Sequence, residues 1–283
     1  MGADIIGWRE CPLQRSLGQK GFLGKLKMRA YMAAVESQVP EGERENVAVT
    51  VVVNDTERDL TYREIRAEAE QFQAGIPECA SCPLSGGRQL GCYKFVKYPV
   101  DAGFEEVAFE MFCSQLTTKD SISDQLYRDI VSKQPLDSAW HTRRGEGRGF
   151  ARRPQPLTHT WGGLFSKKKV DSAQLLASLF IPLSVPALIV GYARFWRELV
   201  QFADAKLAAV MKQHGVALGP NGQIKLQVEQ SQIGNIENQL RDASNAMSSL
   251  LEGTFGEIRN AAAMMQVLAP ASVQQGWSVI VDG

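Results

Sequence analysis

The sequence predicts a helix-rich α+β protein, with few strands and a cysteine-rich loop in its N-terminal half and a mainly helical C-terminal half. Three observations predict it. Apolar residues recur every three or four positions over several stretches bounded by capping residues. One segment, residues 47–53, is dense in β-branched side chains. Cys79, Cys82 and Cys92 crowd into a stretch with few apolar side chains. The 283 residues are 44% hydrophobic and 22% charged, which excludes a wholly disordered chain and a collagen-like repeat. At about 150 residues per domain, the length predicts two domains.

The N-terminal residues carry Asp4, Arg9 and Glu10, which interrupt any apolar run of a secretory signal. A cytoplasmic location is therefore expected, where thiols stay reduced. The spacing of Phe22, Leu26, Ala30 and Ala33 predicts a helix over 17–39. Gly18 and Gly24-Lys25 resemble a phosphate loop only faintly, because Leu26 stands where a Ser or Thr is required. Residues 47–53 form the predicted strand, and Leu60 opens a short return strand. Thr61-x-x-Glu64 is a capping box that starts a helix over 62–73. A second helix is predicted over 102–115, with Phe104, Val107, Ala108 and Met111 on its apolar face. Glu105-Glu106 on that helix is read as an acidic pair facing water. A third helix follows Ser121-x-x-Asp124 and buries Ile122, Leu126 and Ile130.

The cysteines carry the clearest chemistry. In Cys79-x-x-Cys82 a tight turn aims two thiolates at one tetrahedral ion. Cys92 follows Gly91 and supplies a third ligand, and Cys113 is the first choice for the fourth, ahead of Cys11. Zinc is the expected metal and an iron–sulfur cluster the alternative. Free structural thiols and a redox pair formed by Cys79 and Cys82 are the competing readings. A metal suits this segment, because too few apolar side chains are present to fold it unaided.

Overall charge is balanced, with 31 Lys+Arg and 31 Asp+Glu, yet the distribution is uneven. Residues 1–139 sum to −5, residues 140–170 to +7 and residues 171–283 to −2. Glycines and prolines accompany the basic stretch, so 140–170 reads as a linker or long loop between an α+β domain, 1–139, and a helical domain, 171–283. Arg143, Arg144, Arg148, Arg152 and Arg153 are candidate contacts for phosphate or an acidic surface. With Trp140, Phe150 and Trp161 nearby, nucleic acid is a weak further expectation.

Residues 175–193 contain no charged side chain, a run of the minimum length for a membrane span. Pro182, Pro186 and Gly191 divide them, which favours a helix, a bend and a second helix in a buried core over a membrane-inserting segment. Ser172 is the expected cap of the first of these. The second runs over 192–214, stopped by Gly215. Residues 219–222 read as a turn. Ile233, Ile236, Leu240, Ala243, Met247 and Leu250 fall on alternating intervals of three and four, an a/d seam that suits a partner helix or a second copy. A further helix over 257–268 is expected to stop at Pro270, and 277–281 to form a terminal strand.

No nucleophile elbow, dinucleotide fingerprint or His-Glu-x-x-His occurs. With three histidines, His141, His159 and His214, acid–base catalysis has few candidates. The expected function is therefore that of a non-catalytic interaction or adaptor protein, with a structural zinc site and a helical partner-binding surface. The alternatives are a membrane-acting protein that inserts 175–193 and a thiol-redox enzyme using Cys79 and Cys82.

Overall fold

The computed structural model describes residues 3–8, 12–53, 56–72, 96–98, 101–132, 151–163, 166–179, 182–183, 185–213, 215–218, 224–226, 238, 241–242, 245, 254–276 and 278–282. It is helix-rich with short strands, the predicted class. The chain divides into two units, one of residues 6–95 and 274–277, the other of residues 1–5, 96–273 and 278–283. The division at 95 differs from one drawn at the basic stretch.

In the smaller unit, helix α1 (Pro12–Gln38) is interrupted at Gly18, where φ is 68° and ψ 167°. Strands β2 (Ala48–Val53) and β3 (Thr56–Thr61) form an antiparallel hairpin in which Val49 opposes Leu60 and Val51 opposes Arg58. Helix α2 (Tyr62–Phe72) follows β3 directly. The capping box forms as predicted. The Thr61 backbone N–H and hydroxyl donate to Glu64 Oε2 at 2.7 and 2.8 Å, and the Glu64 N–H donates to Thr61 Oγ1 at 3.3 Å. These bonds, the backbone one foremost, hold the Glu64 carboxyl below its ordinary range. Met28 of α1, Val51 and Leu60 of the hairpin, and Ile65 of α2 form the core.

A four-stranded sheet has the order β4 (Val96–Tyr98), β1 (Ala3–Trp8), β10 (Ser278–Asp282), β7 (Pro182–Leu183), and the larger unit holds β4, β10, β7 and Ala3–Ile5 of β1. Strand β10 matches the terminal strand expected from 277–281. Its helices among the described residues include α3 (Ala102–Gln115), α4 (Ile122–Ser132), α5 (Ser172–Leu179), α6 (Pro186–Gln213) and α7 (Thr254–Gln275). Helix α3 has its predicted bounds, capped by Asp101 accepting the Phe104 N–H at 2.7 Å. In α4, Ile122, Leu126 and Ile130 are buried as predicted, and Ser121 Oγ accepts the Asp124 N–H at 3.0 Å. Helices α3 and α6 run side by side. Phe104 stacks on Trp196, and further along Glu110 pairs with Lys206. The apolar faces of α3 and α4 are thus covered by α5 and α6, which is why the four helices share a unit.

Among the described residues of the apolar stretch 175–193, part is folded into this core, while Val185 and Val190 are exposed. Leu175, Leu176, Leu179, Ile189, Tyr192 and Ala193 are buried, and the Tyr192 hydroxyl donates to the Ser178 carbonyl. No helix among the described residues is long and apolar enough to cross a membrane. The start of α5 differs from expectation. Asp171, not Ser172, caps it: Asp171 Oδ1 accepts the Gln174 N–H at 2.7 Å, and Gln174 Oε1 accepts the Asp171 N–H at 3.0 Å. Helix α6 stops at Gly215, with φ of 69°, as expected. Helix α7 corrects another expectation, since it runs through Pro270. The proline forfeits one backbone hydrogen bond, but continuing the helix buries Ala271 and Ser272, and the Ser272 hydroxyl donates to the Ala269 carbonyl at 2.7 Å. Strands β8 (Val216–Leu218) and β9 (Ile224–Leu226) pair antiparallel on either side of residues 219–222.

Within the basic stretch, β5 (Thr158–Trp161) and β6 (Lys168–Asp171) form a hairpin. Gly162 follows β5 with φ of 108°, and a Cβ there would collide with the Ser166 carbonyl oxygen. Gly162→Ala therefore combines backbone strain with a backbone clash and is expected to cost about 3 kcal/mol or more. Urea unfolding checks this, and a variant within about 0.5 kcal/mol of the wild type would show that the turn relaxes freely.

Candidate functional site

Of the four cysteines assigned to a metal, Cys79, Cys82 and Cys92 lie outside the described residues. Cys113 is described. It sits on α3 next to the buried Phe112, and is partly buried itself. Burial, and then the charge of Glu110, push its thiol up to about 11. Cys113 belongs to the larger unit, whereas Cys79, Cys82 and Cys92 fall within residues 6–95. Among the described residues no three His, Cys, Asp or Glu side chains are grouped to hold a metal.

Arg143, Arg144 and Arg148 also lie outside the described residues. Arg152 and Arg153 are placed by a feature that sequence reasoning missed. Glu105, read as facing water, is buried at 1% exposure on α3. Its Oε2 accepts the backbone N–H groups of Arg152 and Arg153 at 2.9 and 3.2 Å. Its Oε1 accepts the Ser172 hydroxyl, whose oxygen in turn accepts the Leu157 N–H at 3.0 Å. The Ser172 N–H closes the group by donating to the Leu157 carbonyl at 2.9 Å. One carboxylate thus fastens the segment before β5, and the start of α5, to α3. The Arg153 guanidinium pairs with Glu106, the exposed neighbour. A signal for Glu105 was present. Positions 105, 108, 109 and 112 share a helix face, and Ala108, Phe109 and Phe112 on it are apolar.

The β5–β6 hairpin carries aromatic and cationic groups together. His159 stacks on Trp161 at 5.6 Å, Trp161 meets the Tyr127 ring edge-on at 4.6 Å, and the Lys168 ammonium lies 5.7 Å from the Tyr127 centroid. Val170, opposite His159, is buried. This face of the hairpin therefore packs on α4, leaving Thr158, Thr160 and Lys169 exposed.

In the smaller unit a polar cleft of about 340 Å³ is lined by Glu36, Glu41, Arg44, Glu45, Tyr62 and Arg66. The Tyr62 hydroxyl donates to Glu36 Oε1 at 2.9 Å. Burial, and then that bond, raise the Tyr62 pKa. Arg44 donates to the carbonyls of Val39 and Glu36 at 2.7 and 2.9 Å, closing the end of α1.

The seam residues Ile233, Ile236, Leu240 and Met247 lie outside the described residues. Four intervening residues are described. Asn238, Arg241, Asp242 and Asn245 are helical and exposed, and Arg241 donates to Asn238 Oδ1 at 2.8 Å. Their spacing of three, one and three puts them on one helix face. No protein-family model, curated protein or solved structure matches the chain.

Proposed function

We propose that this chain is a non-catalytic interaction protein whose smaller unit is braced by a structural zinc on Cys79, Cys82 and Cys92, and whose 233–250 helix docks on a second copy of the chain. The observation that supports this reading is the exposed polar stripe of Asn238, Arg241, Asp242 and Asn245. At about 100° per residue, that stripe lies roughly opposite the direction shared by Ile233, Ile236, Leu240 and Met247. An amphipathic helix with such a seam buries it against a partner helix.

The test is Leu240→Asp in the full chain, followed by light scattering. The expected result is a wild type of twice the monomer mass and a monomeric variant with an unchanged melting temperature. A charge in the middle of a docking seam costs several kcal/mol of association, because one copy must bury it unpaired. A monomeric wild type, or a variant that melts many degrees lower, would overturn self-docking and place the seam in the chain's own core.

A further inference from the structure

We propose that the outer edge of strand β2 is a docking site for an extended peptide segment of another protein, one that alternates basic and β-branched apolar residues and joins the hairpin as an antiparallel third strand. This site is independent of the zinc and of the 233–250 seam. The backbone phase of β2 carries it. The Tyr62 N–H donates to the Val47 carbonyl at 2.9 Å, so that carbonyl points at β3. In a trans peptide the N–H points opposite to the C=O, and along a strand the direction alternates residue by residue. Val49, Val51 and Val53 therefore spend their backbone groups on Leu60, Arg58 and Thr56, while Ala48, Thr50 and Val52 aim theirs away from β3. Thr61, opposite Ala48, agrees with this phase, because its N–H donates to Glu64 and not across the hairpin. Among the described residues β2 pairs with β3 alone, and the side chains of Ala48 and Thr50 are exposed. Among those residues the outward N–H and C=O groups of β2 thus form an open ladder.

The two edges of the hairpin differ in what they admit. The edge of β3 carries Glu57 and Asp59, both exposed, and its Thr61 N–H is taken by the capping box. Charges of this kind keep an edge from pairing. Residues 47–53 contain no charge, and six of the seven are β-branched, which leaves the β2 edge unguarded. The helices above set the size of the occupant. Helix α1 packs on β2 and α2 on β3. Packed helices sit about 8–10 Å apart and paired strands about 4.8 Å, so α1 overhangs the β2 edge by about one strand's width. Val49 of β2, and Tyr31 and Met32 of α1, pack against the core while only partly buried, which leaves apolar surface for the inward side chains of an added strand. A second copy does not fit there. Antiparallel pairing of β2 with its own copy across a two-fold axis keeps both helix layers on one face and drives one α1 into the other. Charge selects the partner. Residues 41–64 contain seven acidic and three basic side chains. Asp59, opposite Thr50, accepts the Thr50 hydroxyl at 2.7 Å. A lysine placed opposite Thr50 on the added strand starts about 10 Å from Asp59, within reach of its long side chain.

The experiment is fluorescence anisotropy of a labelled, end-capped peptide, Lys-Val-Lys-Val-Lys-Val-Lys, titrated with the full chain. Saturable one-to-one binding is expected. Thr50→Pro removes an outward N–H without touching the β2–β3 ladder, so it is expected to keep the melting temperature and to weaken binding by about tenfold or more. Two N-methylated peptides, measured on the wild type, cover the case in which that variant fails to fold. In an antiparallel pair the residue opposite Thr50 shares its face and exchanges both hydrogen bonds with it. Methylation of the lysine amides is therefore expected to abolish binding, and methylation of the valine amides to leave it within about threefold. A peptide with glutamate in place of lysine is expected to bind more weakly by about tenfold or more. No saturable binding, full affinity in a folded Thr50→Pro protein, or equal binding of the two methylated peptides overturns the edge site. A glutamate peptide that binds as tightly as the lysine one overturns the basic partner. A wild type whose mass is halved by Thr50→Pro places a second copy on the edge and overturns the peptide partner as well.

Discussion

Glu105→Ala is expected to destabilise the larger unit by about 3–5 kcal/mol, because one truncation strands several buried groups at once. The carboxylate receives three donors: the N–H groups of Arg152 and Arg153, and the Ser172 hydroxyl. Alanine leaves all three facing a void. Glu105→Gln keeps the shape but turns an amide N–H₂ toward either the two backbone donors or Ser172, so an intermediate loss of about 1–2 kcal/mol is expected. Glu106→Ala is the control. Its partner Arg153 is held across a half-exposed surface pair, so its loss is expected to be about 0–1 kcal/mol. Chemical unfolding is expected to rank Glu105→Ala far below Glu105→Gln in stability, and Glu105→Gln below Glu106→Ala. A Glu105→Ala protein within about 1 kcal/mol of the wild type would show that water replaces the carboxylate, and that the fastening of α5 to α3 is incidental.

These two neighbouring glutamates mark the limit of what the sequence conveys. Local signals were readable because the groups that form them are adjacent in the chain. The Thr61–Glu64 box, the bounds of α3, the buried trio of α4, strand β2 and the Gly215 stop each depend on residues a few positions apart. Features set by remote partners were not readable. Glu105 becomes buried because residues 47 and 67 positions away meet it. Strand β1 is short and gains its place only from β4 and β10. Pro270 stays helical because the turn beyond it is buried. At the hairpin, the alternation Thr158-His159-Thr160-Trp161 was present but outweighed by the surrounding Gly, Pro and Arg. The same distinction applies to the cysteines. Cys-x-x-Cys spacing raises the expectation of two ligands by itself, whereas any remote ligand depends on which elements lie side by side.

Trp196→Ala is expected to cost about 3–5 kcal/mol and to loosen α3 as much as α6. Trp196 is 1% exposed, stacked on Phe104 of α3 at 5.6 Å and 16°, and edge-on to Phe195 at 6.0 Å and 85°. Truncation leaves a ring-sized cavity between the two helices, and Phe104 loses its flat neighbour. Combining Trp196→Ala with Phe104→Ala should reveal a coupling of about 0.5–1.5 kcal/mol, since the ring pair is counted in both single variants. Native-state hydrogen exchange makes the prediction sharper. If α3 and α6 unfold as parts of one cooperative unit, the protection of the α3 amides falls by the same free energy as that of α6. A boundary at 140–170 predicts otherwise, because α3 would then keep its protection while α6 alone exchanged faster. The stacking of Phe104 on Trp196, the Glu110–Lys206 pair and the Glu105–Ser172 bond all cross from one side of that basic stretch to the other. Equal loss in both helices is therefore the expected outcome, and protection of α3 unaffected by Trp196→Ala would restore the division at the basic stretch.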